Sequence, residues 1–407
     1  MNEKPLIRFV STYENPTSFY RDLPPALTEA GYDVEIVISQ AEYRGGRTTL
    51  EDAIEGPGLR VVRVWSPVRT PDTAIKKFIV MAAFLIGASM RTAIGRRAFA
   101  NVFYTTPPLF AWLGLWLQAL GRGACCYMVM DIYPDVLIAS EALSARTVTA
   151  KFLGSLSRQI FRRAAAVVVI GRDMEEHVIA AGAVPERTHL IRNWPHAATL
   201  RPVASSNQLR ASLGFEDELV VLYSGNMGIS HTFTEVVEAA KRLMRRTDIQ
   251  FVFVGEGVRL PQIRKECAGL PNVHFLPFQP AERLAATLHA GDVSLITLRP
   301  RFEGIVVPSK SYGPMAVGRC LLFIGPEQSE IARMIAEHGV GVVVPPGDID
   351  GLRRRLEDLA ANRSAVTDMG ERAARLVQKE LGREHAAASW ITMLQQLGRQ
   401  NPSDLAR

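Results

Sequence analysis

The sequence predicts an α/β protein made of two parallel, doubly wound sheets in tandem. Three observations lead there. Short apolar or β-branched runs alternate with helix-period patterns along the chain, the mark of parallel strands covered on both faces. A chain of 407 residues exceeds one ordinary core and suits two domains of about 150 to 200 residues. The alternation breaks once, in the Pro-, Asn- and Ser-containing stretch IRNWPHAATLRPVASSNQ, and then restarts.

The strand candidates of the first half are PLIRFV, DVEIVIS, RVVRVW, NVFYTT, CCYMVMD and AAVVVIG. Those of the second are LVVLYSG, IQFVFVGEG, VHFLPF, VSLITL, RCLLFIG and GVGVVVPPGD. Domains are expected at 1–195 and 196–380, with a last helix within 381–407, read from REHAAASWITMLQQLG, packing back towards the first domain. Two apolar stretches interrupt the first half, FIVMAAFLIGASM (Phe78 to Met90) and PLFAWLGLWLQAL (Pro108 to Leu120). The first, flanked by Lys76, Lys77, Arg91, Arg96 and Arg97, reads as too short to span a bilayer. Both read first as core helices. The sharper reading rests 76–97 or 108–122 on the inner membrane surface, and an exposed apolar patch would favour it. MNEKPLIRFVST starts a strand at once and lacks a signal-peptide core, so a cytoplasmic chain is expected.

Composition narrows the chemistry. Apolar residues make up 47% and charged residues 22%, as in a globular protein, and the formal net charge is +6. The basic residues are scattered, which suits small anions and argues against nucleic acid as a partner. Cys125, Cys126, Cys267 and Cys320 lack metal-ligand spacing and read as reduced core residues, so no metal site is expected.

Open α/β sheets bind ligands beyond the carboxyl ends of their strands, so the chemistry is sought in the loops there. In LYSGNMGISHTF the strand runs into Gly225, Asn226 and Gly228, with a helix by Thr234, a pattern that offers amide N–H groups to a phosphate. Neither the dinucleotide-binding Gly-x-Gly-x-x-Gly fingerprint nor the P-loop is present. His231 stands before that helix as a phosphate or sugar donor, or merely as a cap of the turn. Gly255 and Glu256 form a second glycine loop, and Phe278 with Gln279 ends a third strand where a base could rest. In VVPSKSYGPMAVGR, Ser309 reads as a helix N-cap, and Lys310 as an ammonium that needs an anion to face. The plain alternative is a lysine on a solvated face. Asp131, in MVMDIYPD, either orients an acceptor hydroxyl and takes its proton or caps the turn before Pro134.

YSGNMG, FVFVGEG, NVHFLPFQP, AGDVSLITL, VVPSKSYGPMAVGR and GVGVVVPPGD in this order resemble the nucleotide-sugar half of a family-4 retaining glycosyltransferase with the GT-B fold. The likeness is greatest to the bacterial branch that builds surface and capsular polysaccharides, and YTTPPLF, MVMDIYPD, VVVIGRDMEEHV and LIRNWP extend it through the first half. The resemblance implies two Rossmann-like domains facing a cleft between them. It also implies transfer of a sugar from a nucleoside diphosphate sugar, by family expectation a uridine one, to an acceptor glycan or glycolipid, with retained configuration and no required cofactor. Lys310 would neutralise the departing diphosphate by charge, and Gly225 and Asn226 by donors. His231 stands where many relatives carry a lysine, and its charge would depend on pH.

Two departures accompany the likeness. Gly313 occupies the position of the glutamate that in relatives binds the ribose hydroxyls; Glu303 lies near the place of its upstream companion, and Glu327 or Glu330 could supply a carboxylate instead. The first loop, VSTYENPTSFYRDL, lacks the Gly-Gly that often touches the donor phosphate, and Glu14, Asn15 and Arg21, with Tyr133, are placed on the acceptor side. Rival readings are a nucleotide-sugar epimerase or phosphorylase on the same fold, or a non-catalytic nucleotide-sugar-binding protein.

Overall fold

A computed structural model of the chain describes residues 3–12, 19–41, 56–196, 199 and 208–400. It divides into two compact units, Met1–Arg192 with Arg383–Arg407, and Asn193–Gly382. Glu14 and Asn15 lie outside the described residues.

In the first unit the elements run β1 (Leu6–Val10), α1 (Phe19–Glu29), β2 (Asp33–Ser39), β3 (Leu59–Val64), α2 (Ala74–Ile94), β4 (Ala100–Tyr104) and α3 (Ala111–Ala119). They continue with β5 (Ala124–Val129), α4 (Asp135–Ala139), α5 (Val148–Arg163), β6 (Ala166–Val169), α6 (Arg172–Ala180) and β7 (Thr188–Leu190). The strands are parallel in the order β3-β2-β1-β4-β5-β6-β7. From β1 the chain steps one way to β2 and β3, and from β4 it steps the other way. Right-handed crossovers therefore put α1 on one face and α2, α3 and α5 on the other. Every residue of β1, β4 and β5 is buried in consequence. The three residues of β7 form a strand that the sequence pattern does not announce, because so short a run carries no period.

Helix α2 corrects one expectation. It spans 21 residues, and its length and composition suffice to cross a membrane, so it is not too short. The apolar run continues past Lys76, Lys77 and Arg91, whose long stems are good helix formers and do not end the helix. Thr73 caps its start by accepting from the Lys76 amide at 3.3 Å.

A buried polar row crosses this sheet. Arg8 on β1 stands opposite Glu35 on β2 and Asn101 on β4. Its guanidinium donates to Glu35 Oε1 at 2.6 Å and to Asn101 Oδ1 at 3.1 Å, and Arg91 of α2 closes on the other Glu35 oxygen. Burial lowers the Arg8 pKa; it also pushes Glu35 up, but the two arginines more than offset that and leave the carboxyl below its ordinary value.

In the second unit the elements are α7 (Gln208–Ser212), β8 (Leu219–Ser224), α8 (Thr234–Arg242), β9 (Ile249–Val254), α9 (Leu260–Glu266), β10 (Val273–Leu276) and α10 (Leu284–Ala290). Then follow β11 (Val293–Thr297), α11 (Tyr312–Ala316), β12 (Cys320–Ile324), α12 (Glu330–His338), β13 (Gly341–Val344), α13 (Ile349–Ala361) and α14 (Arg363–Lys379). The sheet is again parallel, in the order β10-β9-β8-β11-β12-β13. Helix α15 (Arg383–Gln400) belongs with the first unit, where it packs on α1 and sets Trp390 edge-on to Phe9 with centroids 6.2 Å apart. All four cysteines are free and buried.

Candidate functional site

The second sheet opens where its strand order reverses. β8 pairs with β9 over six residues but with β11 over only Val221–Val293 and Leu222–Ser294, so β8 and β11 part towards their carboxyl ends. Tyr223, His231, Thr297 and Lys310 meet around that parting, a switch point of the kind that binds ligands in open sheets.

Lys310 is the centre of the group. Its ammonium donates to the Tyr223 hydroxyl at 2.6 Å, to His231 Nε2 at 2.8 Å and to the Asn226 carbonyl, and lies 4.8 Å from the Tyr223 ring centroid. Its three protons are thus taken by neutral acceptors, and no carboxylate is among its described partners. Burial pushes the Lys310 pKa down to about 7. A cation so held, desolvated and uncompensated, gains from an anion placed beside it.

His231 supports the lysine instead of acting as a charge. Its Nδ1 lies 2.7 Å from the Thr297 carbonyl oxygen, which can only accept, so Nδ1 carries the proton and Nε2 accepts from Lys310. Burial, then the Lys310 charge, pushes its pKa down to about 3. The expectation that its charge would vary with pH is corrected, and neither ring nitrogen is left to donate to a phosphate.

The glycine loops are set by close backbone approach. Gly225 has φ +133°, and a Cβ there would stand 2.9 Å from Lys310 Cε, so the lysine stem runs directly over the loop. At Gly255, φ +132°, a Cβ would stand 2.2 Å from the Gly225 carbonyl oxygen. The Gly225 and Met227 amides donate to Val254 O at 2.9 Å and Glu256 O at 2.7 Å. The expected phosphate cradle is therefore narrower than the full loop, because these two amides tie it to its neighbour. The amides of Asn226 and Gly228 have no partner among the described residues.

Other expected residues scatter around this edge. Ser309 is exposed and opens a single 3-10 turn, Ser309–Ser311, without capping a helix; Ser311 precedes α11, and its hydroxyl donates to Pro308 O at 3.1 Å. The N-cap assigned to Ser309 is thus corrected, because the extra turn displaces it from the helix start. Phe278 and Gln279 follow the edge strand β10, about 10 Å across the sheet from β8 by strand spacing. Phe278 is exposed, while the Gln279 amide donates to Pro277 O at 3.0 Å. Glu303 follows the short turn after β11. A Cβ on Gly313 would stand 3.2 Å from Leu288 and 3.4 Å from Thr199, so packing resists a larger side chain there. Glu327 is exposed, and Glu330 is buried in the first turn of α12. Tyr223 and Thr297 lie within YSGNMG and AGDVSLITL without announcing chemistry of their own; their signal is that each lies at the end of a strand flanking the reversal.

In the first unit, Asp131 lies just beyond β5, and burial pushes its carboxyl up to about 6. It accepts no hydrogen bond among the described residues, and the turn at Pro134 is held by backbone bonds such as Val136 N to Ile132 O at 2.8 Å. The capping alternative is thereby removed. Burial, then Asp131, pushes the nearby Tyr133 hydroxyl up to about 12. Arg21 sits in the first turn of α1.

Two doubly wound units, one with a cation and glycine loops at its switch point, define an α/β protein of the GT-B class. The "Glycosyl transferase 4-like domain" family matches residues 18–194, and the "Glycosyl transferases group 1" family matches residues 205–376. The chain belongs to the family-4 glycosyltransferases and is a transferase, as the sequence resemblance implies. It is 29% identical over 287 residues to a probable glycosyltransferase, WbjE, of Pseudomonas aeruginosa, covering 69% of this chain and 70% of that one. It is 26% identical over 333 residues to a putative colanic acid biosynthesis glycosyl transferase, WcaI, of Escherichia coli K12, covering 78% and 81%. Among solved structures, sucrose-phosphate synthase of Thermosynechococcus elongatus superposes with a TM-score of 0.74 at 17% identity, over 98% of this chain and 100% of that one. HepE of Anabaena, in complex with UDP-glucose, gives 0.68 at 16%, over 98% and 99%.

Proposed function

We propose that the protein transfers a sugar, with retained configuration, from a uridine diphosphate sugar to a hydroxyl of a lipid-linked precursor of a surface polysaccharide. The observation that carries this reading is Lys310, a half-buried ammonium surrounded by neutral acceptors at the switch point. Negative charge grows on the diphosphate as the glycosidic bond breaks, and a desolvated cation stabilises that state more than the ground state. The Asn226 and Gly228 amides add donors, Tyr223 and His231 position the ammonium, and Gly225 with Gly255 lets the Lys310 stem and the two loops pack closely enough to hold that arrangement. Phe278 and Gln279, after the edge strand β10, are assigned to the base, and Glu303 or Glu330 would hold the ribose in place of the glutamate missing at Gly313. Asp131 is assigned to the acceptor, whose proton it takes at a carboxyl close to neutrality. The remaining members of the proposed site are Glu256 and Ser309 on the donor side and Glu14, Asn15, Arg21 and Tyr133 on the acceptor side.

The choice of uridine is supported by HepE, described in complexes with UDP-glucose and with UDP, and the polysaccharide by the colanic acid assignment of WcaI. A thermal-shift comparison of uridine, guanosine and adenosine diphosphates with their sugars tests the donor, because a ligand of the native state raises Tm by mass action. A shift with uridine compounds is expected; a shift confined to another base overturns that choice, and no shift with any of them sinks the donor site. The anomeric configuration of the product, read by NMR, tests retention.

A further inference from the structure

We infer that the face of the first unit formed by α2, α3 and α5 is a docking surface for an anionic lipid bilayer, on which the protein lies without crossing it. The inference rests on that surface alone and not on the donor site. The three helices are neighbours in one layer, α2 against α3 and α3 against α5. On α2, Ile75, Ile79, Ile86 and Met90 recur at helical spacing on the outer side, each exposed, opposite the buried row Val80, Phe84, Ala88 and Thr92. A surface helix in water carries polar residues on its outer face, and this one is apolar on both. The patch continues through Trp116 and Leu120, 61% and 71% exposed at α3, to Val148 and Phe152, 83% and 60% exposed on α5. An area of this kind on one layer exceeds the scattered apolar exposure normal for a soluble surface.

Charge selects the occupant. The sequences of α2, α3 and α5 contain no Asp or Glu. Lys77 on α2 and Lys151, Arg158 and Arg162 on α5 are exposed, and none has an ion-pair partner among the described residues. On α5 the three cations flank Val148 and Phe152, so apolar insertion and headgroup contact fall on one side, as in interfacial helices. A second copy of the chain meeting this face by two-fold symmetry would set these uncompensated cations against each other, which disfavours a dimer. Crossing the bilayer is disfavoured by the other side of α2: Val80, Phe84 and Ala88 are fully buried where the helix covers β2 and β3, and a spanning helix would strip that cover from the sheet.

Sedimentation of the full chain with vesicles, without nucleotide or acceptor, tests this separately from transfer. Binding to mixed phosphatidylethanolamine and phosphatidylglycerol vesicles is expected, with weak binding to phosphatidylcholine and loss as salt rises. Ile86→Glu with Met90→Glu, and separately Phe152→Glu, should weaken binding at least tenfold with unchanged Tm and unchanged binding of uridine diphosphate. Lys151→Gln and Arg158→Gln should each cost about fivefold. Equal binding to both vesicle types, binding untouched by these substitutions, or a solution dimer that they dissociate would overturn the proposal.

Discussion

At the scale of single residues, Lys310 couples proton and ligand. Its pKa of about 7 lies below the ordinary lysine value near 10.4, so between those limits the unfolded chain is protonated and the native one is not. Stability therefore gains from rising pH across that window, and the penalty of burying the charge is fully present below it. Lys310→Met removes the penalty: its Tm should exceed that of the parent at pH 6, and the gap should close as the pH approaches 10. The same variant should lose about a hundred- to a thousandfold in kcat, the range for removing one transition-state charge contact; near-normal turnover would take Lys310 out of the reaction. An anion beside Lys310 raises its pKa again, so binding uridine diphosphate at pH 8 should take up a proton and at pH 6 should not. Calorimetry in two buffers of different ionisation enthalpy reads this directly, and equal heats at pH 8 would contradict it. The lysine was legible in the sequence because it ends an apolar run in a tight turn. The neutrality of His231 was not, because it depends on the Thr297 carbonyl, 66 residues away in the chain.

At the scale of elements, two devices hold the sheets in shape. The loops after β8 and β9 interlock through Gly255, so Gly255→Ala drives a methyl into the Gly225 carbonyl at a left-handed φ. A cost of about 1–3 kcal/mol is expected, together with loss of the nucleotide-induced rise in Tm; a variant that keeps both would show the loops to be independent of donor binding. In the first sheet, Glu35→Gln leaves Arg8 and Arg91 facing each other without their shared anion, and denaturant titration should show a loss of about 3–5 kcal/mol. Because the Glu35 pKa is lowered, its contribution is present above the ordinary carboxyl value and fades as pH falls through the native one. The strands themselves were plain in the sequence as β-branched runs. This row was hidden, since Arg8, Glu35 and Asn101 interrupt three separate runs and only the parallel register sets them side by side.

At the scale of the molecule, α15 returns from the end of the chain to the first unit, where Trp390 is fully buried beside Phe9. Trp390→Ala should cost the first unit about 3–5 kcal/mol. In calorimetry its transition should fall while the transition raised by uridine diphosphate stays in place; a common shift of both would show that the units melt together. The sequence by itself determined two doubly wound units, the family, and the loops that carry the candidate site, because alternating apolar runs and glycine-bearing strand ends are local signals. Only the tertiary structure decided which groups meet. The short pairing of β8 with β11 brings Tyr223, His231, Thr297 and Lys310 together from distant segments, and the layer of α2, α3 and α5 gathers side chains from three helices into one exposed apolar face. Such juxtapositions depend on strand order and crossover hand, which act between residues far apart in the chain and leave no periodic trace along it.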